Sequence, residues 1–183
     1  MKGWFKIEGA HEGDRTLTEQ LIGLEWLFDR ISGKSILDLG CAEGLISKHL
    51  VANHGARMSV GLTSVASQVD SGRKQCDGVA VTIRQQDLNK YAAVPELDLQ
   101  FDCVLMLSIL HKLHNPGGFL LRALPAAADI VIVRLPAPVI NDARSGFKPY
   151  DHRPVMRQWF DLVDEPTGPR GEYCGIWRRR ENI

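Results

Sequence analysis

The chain has 183 residues, 22 Lys and Arg against 22 Asp and Glu, with 44% hydrophobic and 24% charged residues. That length fits one domain that buries a core without disulfide or metal staples, and the composition excludes disorder, collagen and coiled coil. Zero net charge excludes a strongly basic nucleic-acid footprint, while leaving room for a local basic patch or a small anionic ligand.

From the N-terminus, residues 1–15 read as an arm or lid. Thr16-Leu17-Thr18-Glu19 has the form of a capping box. Leu17, Leu21, Leu24, Phe28 and Ile31 follow near helical spacing, and Gly33 stops the predicted helix. Ser35 to Leu39 is a short apolar strand. A helix opens after Gly44 and ends before Gly55. Arg57 to Leu62 reads as a second strand, Ser64 to Cys76 as a polar helix, and Val79 to Arg84 as a third strand. Asp102 to Leu107 is a continuous apolar run, the pattern of a strand buried on both faces. Asn115-Pro116 is a helix start, with Asn at the cap and Pro in the first turn. Ile130 to Val133 is another buried strand. Residues 135–151 form a loop near the mouth of any site, and His152 to Phe160 a short helix. Leu162-Val163 and Tyr173 to Trp177 are the last strands; the short turn between them permits only antiparallel pairing.

Strands alternating with helices over residues 17–133 predict an α/β fold: a doubly wound, mostly parallel sheet with a C-terminal antiparallel hairpin, in one domain over 1–183. Cys41, Cys76, Cys103 and Cys174 form no C-x-x-C pair, so a reduced cytoplasm is the expected compartment. The most apolar stretch, Phe119 to Ile140, is broken by Arg122, Pro125, Asp129, Arg134, Pro136 and Pro138, so no membrane span is expected.

The chemistry concentrates in Asp38-Leu39-Gly40-Cys41-Ala42-Glu43-Gly44. A strand runs into a glycine-bearing turn and a helix opens directly after it, which is a nucleotide-type site at the carboxyl end of the first strand. This segment resembles the first motif, E/D-x-G-x-G-x-G, of class I S-adenosylmethionine-dependent methyltransferases, with Ala42 in place of the middle glycine. The resemblance extends over about residues 15 to 180. It implies a Rossmann-like methyltransferase fold and S-adenosylmethionine as cofactor. Gly40 and Gly44 would border its methionine and ribose, with Cys41 and Ala42 between them, and Asp38 would hold the turn or the amino group.

Three further stretches carry the resemblance. Val60-Gly61-Leu62-Thr63 stands where the family commonly has V-G-x-D, so Thr63, with Ser64 beside it, replaces the acid that grips the ribose hydroxyls. A neutral hydrogen bond in place of a charged one costs about tenfold in affinity. Asp87 and Leu88 match the residues that meet the adenine; Asp87 alone also reads as a helix cap. Phe101 to His114 resembles F-D-x-V-x-x-x-x-x-L-H-x-L, which places Leu107 and Ser108 beside the transferred methyl. No D/N-P-P-Y is present, no Pro-Cys follows this strand, and Ser108 rather than Asp ends it. These features argue against DNA amino-methylation, pyrimidine attack by cysteine, and the Lys-Asp-Lys-Glu set of ribose methyltransferases.

His111 is the candidate catalytic base, because histidine titrates near neutrality; the alternative is a histidine packed on the next segment. His114 lies three residues on, with no carboxylate nearby to complete a metal site. Trp4, Phe5 and Tyr150 read either as stacking groups for a planar acceptor or as anchors, and Arg178-Arg179-Arg180 as a solvated tail or a phosphate contact. The resulting expectation is methyl transfer to the oxygen or nitrogen of a small molecule. The alternatives are a transfer-RNA-modifying methyltransferase, which the opening of the chain more faintly resembles, and a non-catalytic binding protein of the same fold that needs a partner. A nicotinamide-dependent dehydrogenase fits less well, since the spacing is G-x-x-x-G.

Overall fold

Alternation along each strand sends apolar side chains to both faces of the sheet, so the sheet must be covered on both sides. The computed structural model describes residues 5–6, 13, 15–136 and 150–181 and shows this sandwich. Seven strands, β1 Ser35–Leu39, β2 Met58–Thr63, β3 Val81–Gln85, β4 Phe101–Leu107, β5 Ala127–Leu135, β6 Phe160–Asp164 and β7 Tyr173–Arg179, form one sheet in the order β3-β2-β1-β4-β5-β7-β6. The first five are parallel to one another; β7 runs antiparallel to both β5 and β6.

The register aligns one apolar row across the sheet, Val60–Leu37–Val104–Val131–Trp177. That row packs on Phe119, Leu120 and Met156, from helices α5 (Pro116–Ala123) and α6 (Arg153–Met156). The opposite row, with Ile36, Cys103, Leu105, Ile132 and Ile176, packs on α1 (Leu17–Leu21), α2 (Glu25–Phe28) and α3 (Leu45–His54). Helix α4 (Ala66–Gln75) covers β2 and β3.

The strands predicted from apolar runs are present within two or three residues, and the C-terminal hairpin pairs antiparallel as expected. The capping box forms too: Thr16 Oγ1 accepts from Glu19 N at 3.2 Å, and Glu19 accepts from Thr16 N at 2.8 Å. The single helix predicted from Leu17 to Ile31 is instead two, because Ile22 leaves the helical region and Gly23 adopts φ +82°. The reason is tertiary. Arg134 on β5, fully buried, donates from Nη2 to the carbonyls of Gln20 (3.0 Å) and Ile22 (2.9 Å), taking acceptors a continued helix would have used.

Arg134 Nε also lies 3.9 Å from Glu172 Oε2, and Arg15 Nη1 donates to Glu172 Oε1 at 2.9 Å. Sequence reading alone did not find this buried network. The basic tail is also structural. Arg178 pairs with Asp129, Arg179 donates to the Ala127 and Leu124 carbonyls, and Arg180 pairs with Asp161. Phe5 is 2% exposed and bridges to Arg15, while Trp4 and residues 137–149 of the expected loop lie outside the described residues.

Candidate functional site

The carboxyl ends of β1, β2, β3 and β4 open into one cavity of about 260 Å³. Sites of this fold class form where the strand order reverses, and here β1 and β4 are the adjacent strands whose crossovers leave in opposite directions.

At β1, Gly40 has φ +87° and Gly44 +72°, conformations that favour glycine. A Cβ on Gly40 would lie 3.1 Å from Ile109, filling part of the cavity wall, and one on Gly44 would lie 2.4 Å from Ile83 Cδ1. Ala42 sits at φ 50°, so the departure from the family glycine is accommodated in a left-handed turn. Gly40 and Ala42 line the cavity. Gly44 caps α3 and packs against Ile83. Cys41 lies buried beneath the turn, and burial raises its pKa well above the ordinary thiol range, so it remains a protonated packing group. Asp38 is also buried. It accepts from Ser47 Oγ at 2.8 Å, and Ser59 donates on to Ser47 at 3.0 Å, tying β1 to the first turn of α3 and to β2. Burial pushes the Asp38 pKa up to about 6, the Ser47 bond opposing it.

At β2, Thr63 and Ser64 line the cavity with Val65 and Gln68. Thr63 Oγ1 donates to Gln68 Oε1 and accepts from Val65 N at 3.4 Å. At β3, Asp87 accepts from Asn89 N at 3.0 Å while lining the cavity, so it combines the cap reading with a wall position. Leu88 enters the core on one side and the wall on the other.

At β4, Leu107 lines the cavity. Ser108, at φ 59°, donates its N–H to the Arg134 carbonyl at 2.9 Å and stands outside the lining. The next turn, Leu110–Lys112, is 3₁₀, and it places Lys112 on the wall and His111 behind it. His111 Nδ1 is buried, and burial, with the Lys112 charge second, lowers the His111 pKa to about 4. Lys112 keeps solvent contact along its side chain, but crowding around its ammonium lowers its pKa and the Arg15 guanidinium lowers it further.

The structure therefore gathers Gly40, Ala42, Thr63, Ser64, Asp87, Leu88 and Leu107, and leaves Asp38, Cys41, Gly44, Ser108 and His111 in supporting layers. Sequence reasoning missed Gln68 and Lys112. Gln68 could have been found as the first-turn residue of α4 five positions after Thr63. Nothing in the sequence separates Lys112 from its neighbour His111.

Residues 36–145 match the family described as "Methyltransferase domain", and the chain belongs to it. Its fold is that of class I S-adenosylmethionine-dependent methyltransferases, and that family's cofactor is S-adenosylmethionine. Among solved structures it is similar to a chain of the Haloferax volcanii complex between the Trm112 methyltransferase activator and a methyltransferase (10% identity, TM-score 0.73, 91% of this chain and 92% of that one). It is also similar to magnesium protoporphyrin IX methyltransferase from Synechocystis PCC 6803 with bound S-adenosylmethionine (16%, TM-score 0.65, 82% and 72%). A curated relative, the ubiquinone biosynthesis O-methyltransferase of Pseudomonas fluorescens, is 27% identical over 97 residues, which cover 52% of this chain and 41% of that protein. Among the described residues, no helix is long and apolar enough to cross a membrane.

Proposed function

We propose that the chain transfers a methyl group from S-adenosylmethionine to the oxygen or nitrogen of a small-molecule acceptor. The observation that carries this reading is the cavity itself. It collects polar groups from four adjacent strand ends: Asp87 after β3, Thr63 with Gln68 at β2, the Gly40 turn at β1 and Lys112 after β4. That set of groups suits an amino-bearing base, a ribose and an amino-acid chain laid over the strand ends. At the β1 turn, a φ of +87° and the 3.1 Å a Cβ would have to the Ile109 side chain both call for glycine at position 40, which brings the turn's backbone to the cavity wall.

Bound S-adenosylmethionine supplies a methyl group already activated on a sulfonium. The chain's own residues have the tasks of binding and alignment. Asp87 would accept from the adenine amino group, with Leu88 against the ring. Thr63, Ser64 and Gln68 would meet the ribose with neutral groups instead of the usual acid. Leu107 and Ile109 would exclude water where the acceptor approaches, since orientation and a dry pocket carry most of the catalysis in an in-line displacement. His111, the base expected from the sequence, stands outside the cavity lining, and its pKa of about 4 makes it a weak base, so this reading rests on orientation rather than on proton transfer through His111.

The test is calorimetric titration with S-adenosylmethionine and S-adenosylhomocysteine, with reduced nicotinamide dinucleotide as control. Micromolar binding of the first two, weakened about tenfold in Asp87→Ala, is expected. A second reading rests on Thr63: a chain whose site a partner completes. Folded protein that binds neither compound would overturn the stand-alone enzyme and favour that second reading.

A further inference from the structure

At the end of β2 the cavity wall lacks the family's acid, and a small hydrogen-bonded unit stands in its place. Thr63 ends β2 and is 5% exposed, Gln68 stands half-buried in the first turn of α4, and both line the cavity. The Thr63 hydroxyl has one proton to give. Its oxygen already accepts from Val65 N at 3.4 Å, and its proton goes to Gln68 Oε1. That bond fixes which way round the amide sits. Oε1 faces Thr63, and Nε2 keeps two N–H donors with no partner among the described residues.

The other polar groups of this stretch are held differently. Ser64 is exposed, and its carbonyl accepts from Gln85 Nε2 at 3.2 Å, while its hydroxyl can donate or accept. Gln86 donates its backbone N–H to Thr63 O at 2.8 Å, and its side chain is held by no hydrogen bond among the described residues. Asp87, the one carboxylate among the described lining residues, follows β3 and accepts from Asn89 N at 3.0 Å. Of these groups, Gln68 combines open donors with an internal bond that ties its amide to the strand end. A donor already held in place loses little rotamer freedom when a ligand binds.

We infer that Gln68 is the ribose-recognising residue of the cavity and that it donates from Nε2, so that one ribose oxygen is read as an acceptor. A carboxylate at this strand end accepts, and so needs the hydroxyl proton; an amide N–H needs only the oxygen. The inference rests on the cofactor reading above and deepens it. The site takes adenine nucleosides whose ribose oxygen is capped at that position as well as those whose hydroxyl is free.

Calorimetry tests it with S-adenosylhomocysteine and its 2′-deoxy, 3′-deoxy, 2′-O-methyl and 3′-O-methyl analogues, on wild type, Gln68→Glu and Gln68→Met, each checked for folding by circular dichroism. In wild type, removing the oxygen at one of the two positions weakens binding about five- to tenfold, the cost of a lost hydrogen bond, and methylating it costs less. Gln68→Met abolishes that deoxy penalty. Gln68→Glu keeps an acceptor for Thr63 and puts a second acceptor where the donor was. The O-methyl analogue at that position therefore falls about tenfold further below the free hydroxyl than in wild type. A residue that only braced the strand end would shift all the affinities together and leave these ratios unchanged. O-methyl ratios that are the same in wild type and Gln68→Glu at both positions overturn the inference and leave the cofactor reading intact, and so does a deoxy penalty that survives in Gln68→Met. Folded wild type that binds none of these compounds overturns the cofactor reading, and the Gln68 assignment with it.

Discussion

The carboxyl ends of β1–β4 and the carboxyl end of β5 both collect polar side chains, and the two regions use them in opposite ways. At β5, Arg134, Glu172 and Gln20 are 0–3% exposed and are bound to one another, to Arg15 and to the backbone of α1. At β1–β4, Thr63, Asp87, Gln68 and Lys112 line open space, with Thr63 bonded to Gln68 and Asp87 to the Asn89 N–H along the wall. Buried polar groups must find all their partners inside the protein, whereas groups at a cavity wall can keep internal partners and also face a ligand. The first region therefore fixes the shape of the second. Arg134 ends α1, and its neighbour Glu172 holds Arg15 near Lys112.

Three perturbations separate the two regions. Arg134→Met should have the largest effect, because it leaves Glu172 buried with only Arg15 and removes the donors to Gln20 and Ile22. A loss of about 3–5 kcal/mol in chemical denaturation is expected. A loss under about 1 kcal/mol would mean that the network is dispensable to the scaffold.

Next comes Asp38, which belongs structurally to the scaffold although it lies in the cofactor motif. Burial raises its folded pKa from 3.8 to about 6, so below pH 3.8 both folded and unfolded chains hold the proton. As pH rises through 6, the folded state must ionise a buried carboxyl, and stability from this group falls. Asp38→Asn keeps an acceptor for Ser47 and removes that ionisation. Its stability relative to wild type should rise by about 2–3 kcal/mol between pH 4 and pH 7.5. A flat difference across that range would refute the assignment.

The smallest effect is expected at the cavity wall. Thr63→Asp restores the charged acceptor at the end of β2, within reach of Gln68. It should tighten S-adenosylhomocysteine binding by up to about tenfold, with a small stability cost from burying the new charge. Unchanged affinity would mean that Thr63 and Gln68 already serve the ribose fully.

Much of this molecule is local in origin. The apolar runs at Ser35–Leu39, Asp102–Leu107 and Ile130–Val133 are short, bounded and placed between helical segments, and each forms a buried strand. The Gly40–Gly44 spacing required a tight turn, and Asn115-Pro116 required a helix start, which the Asn115 Oδ1 bond from Gly118 N delivers at 2.9 Å. These features are set by the periodicity of hydrophobic burial and by backbone sterics, both written in short stretches of chain.

Contacts between distant residues decided the rest. Leu17 to Ile31 has the pattern of one helix, and it breaks because an arginine more than a hundred residues away takes its carbonyls. Asp38 reads either as a holder of the turn or as a partner for the cofactor's amino group, and Ser47 and Ser59 draw it under the turn. His111 and Lys112 are adjacent and equally polar, and the 3₁₀ turn after β4 alone chooses which of them faces the cavity. A side chain's direction at a turn depends on what packs against it, and that information does not exist until the sheet has formed.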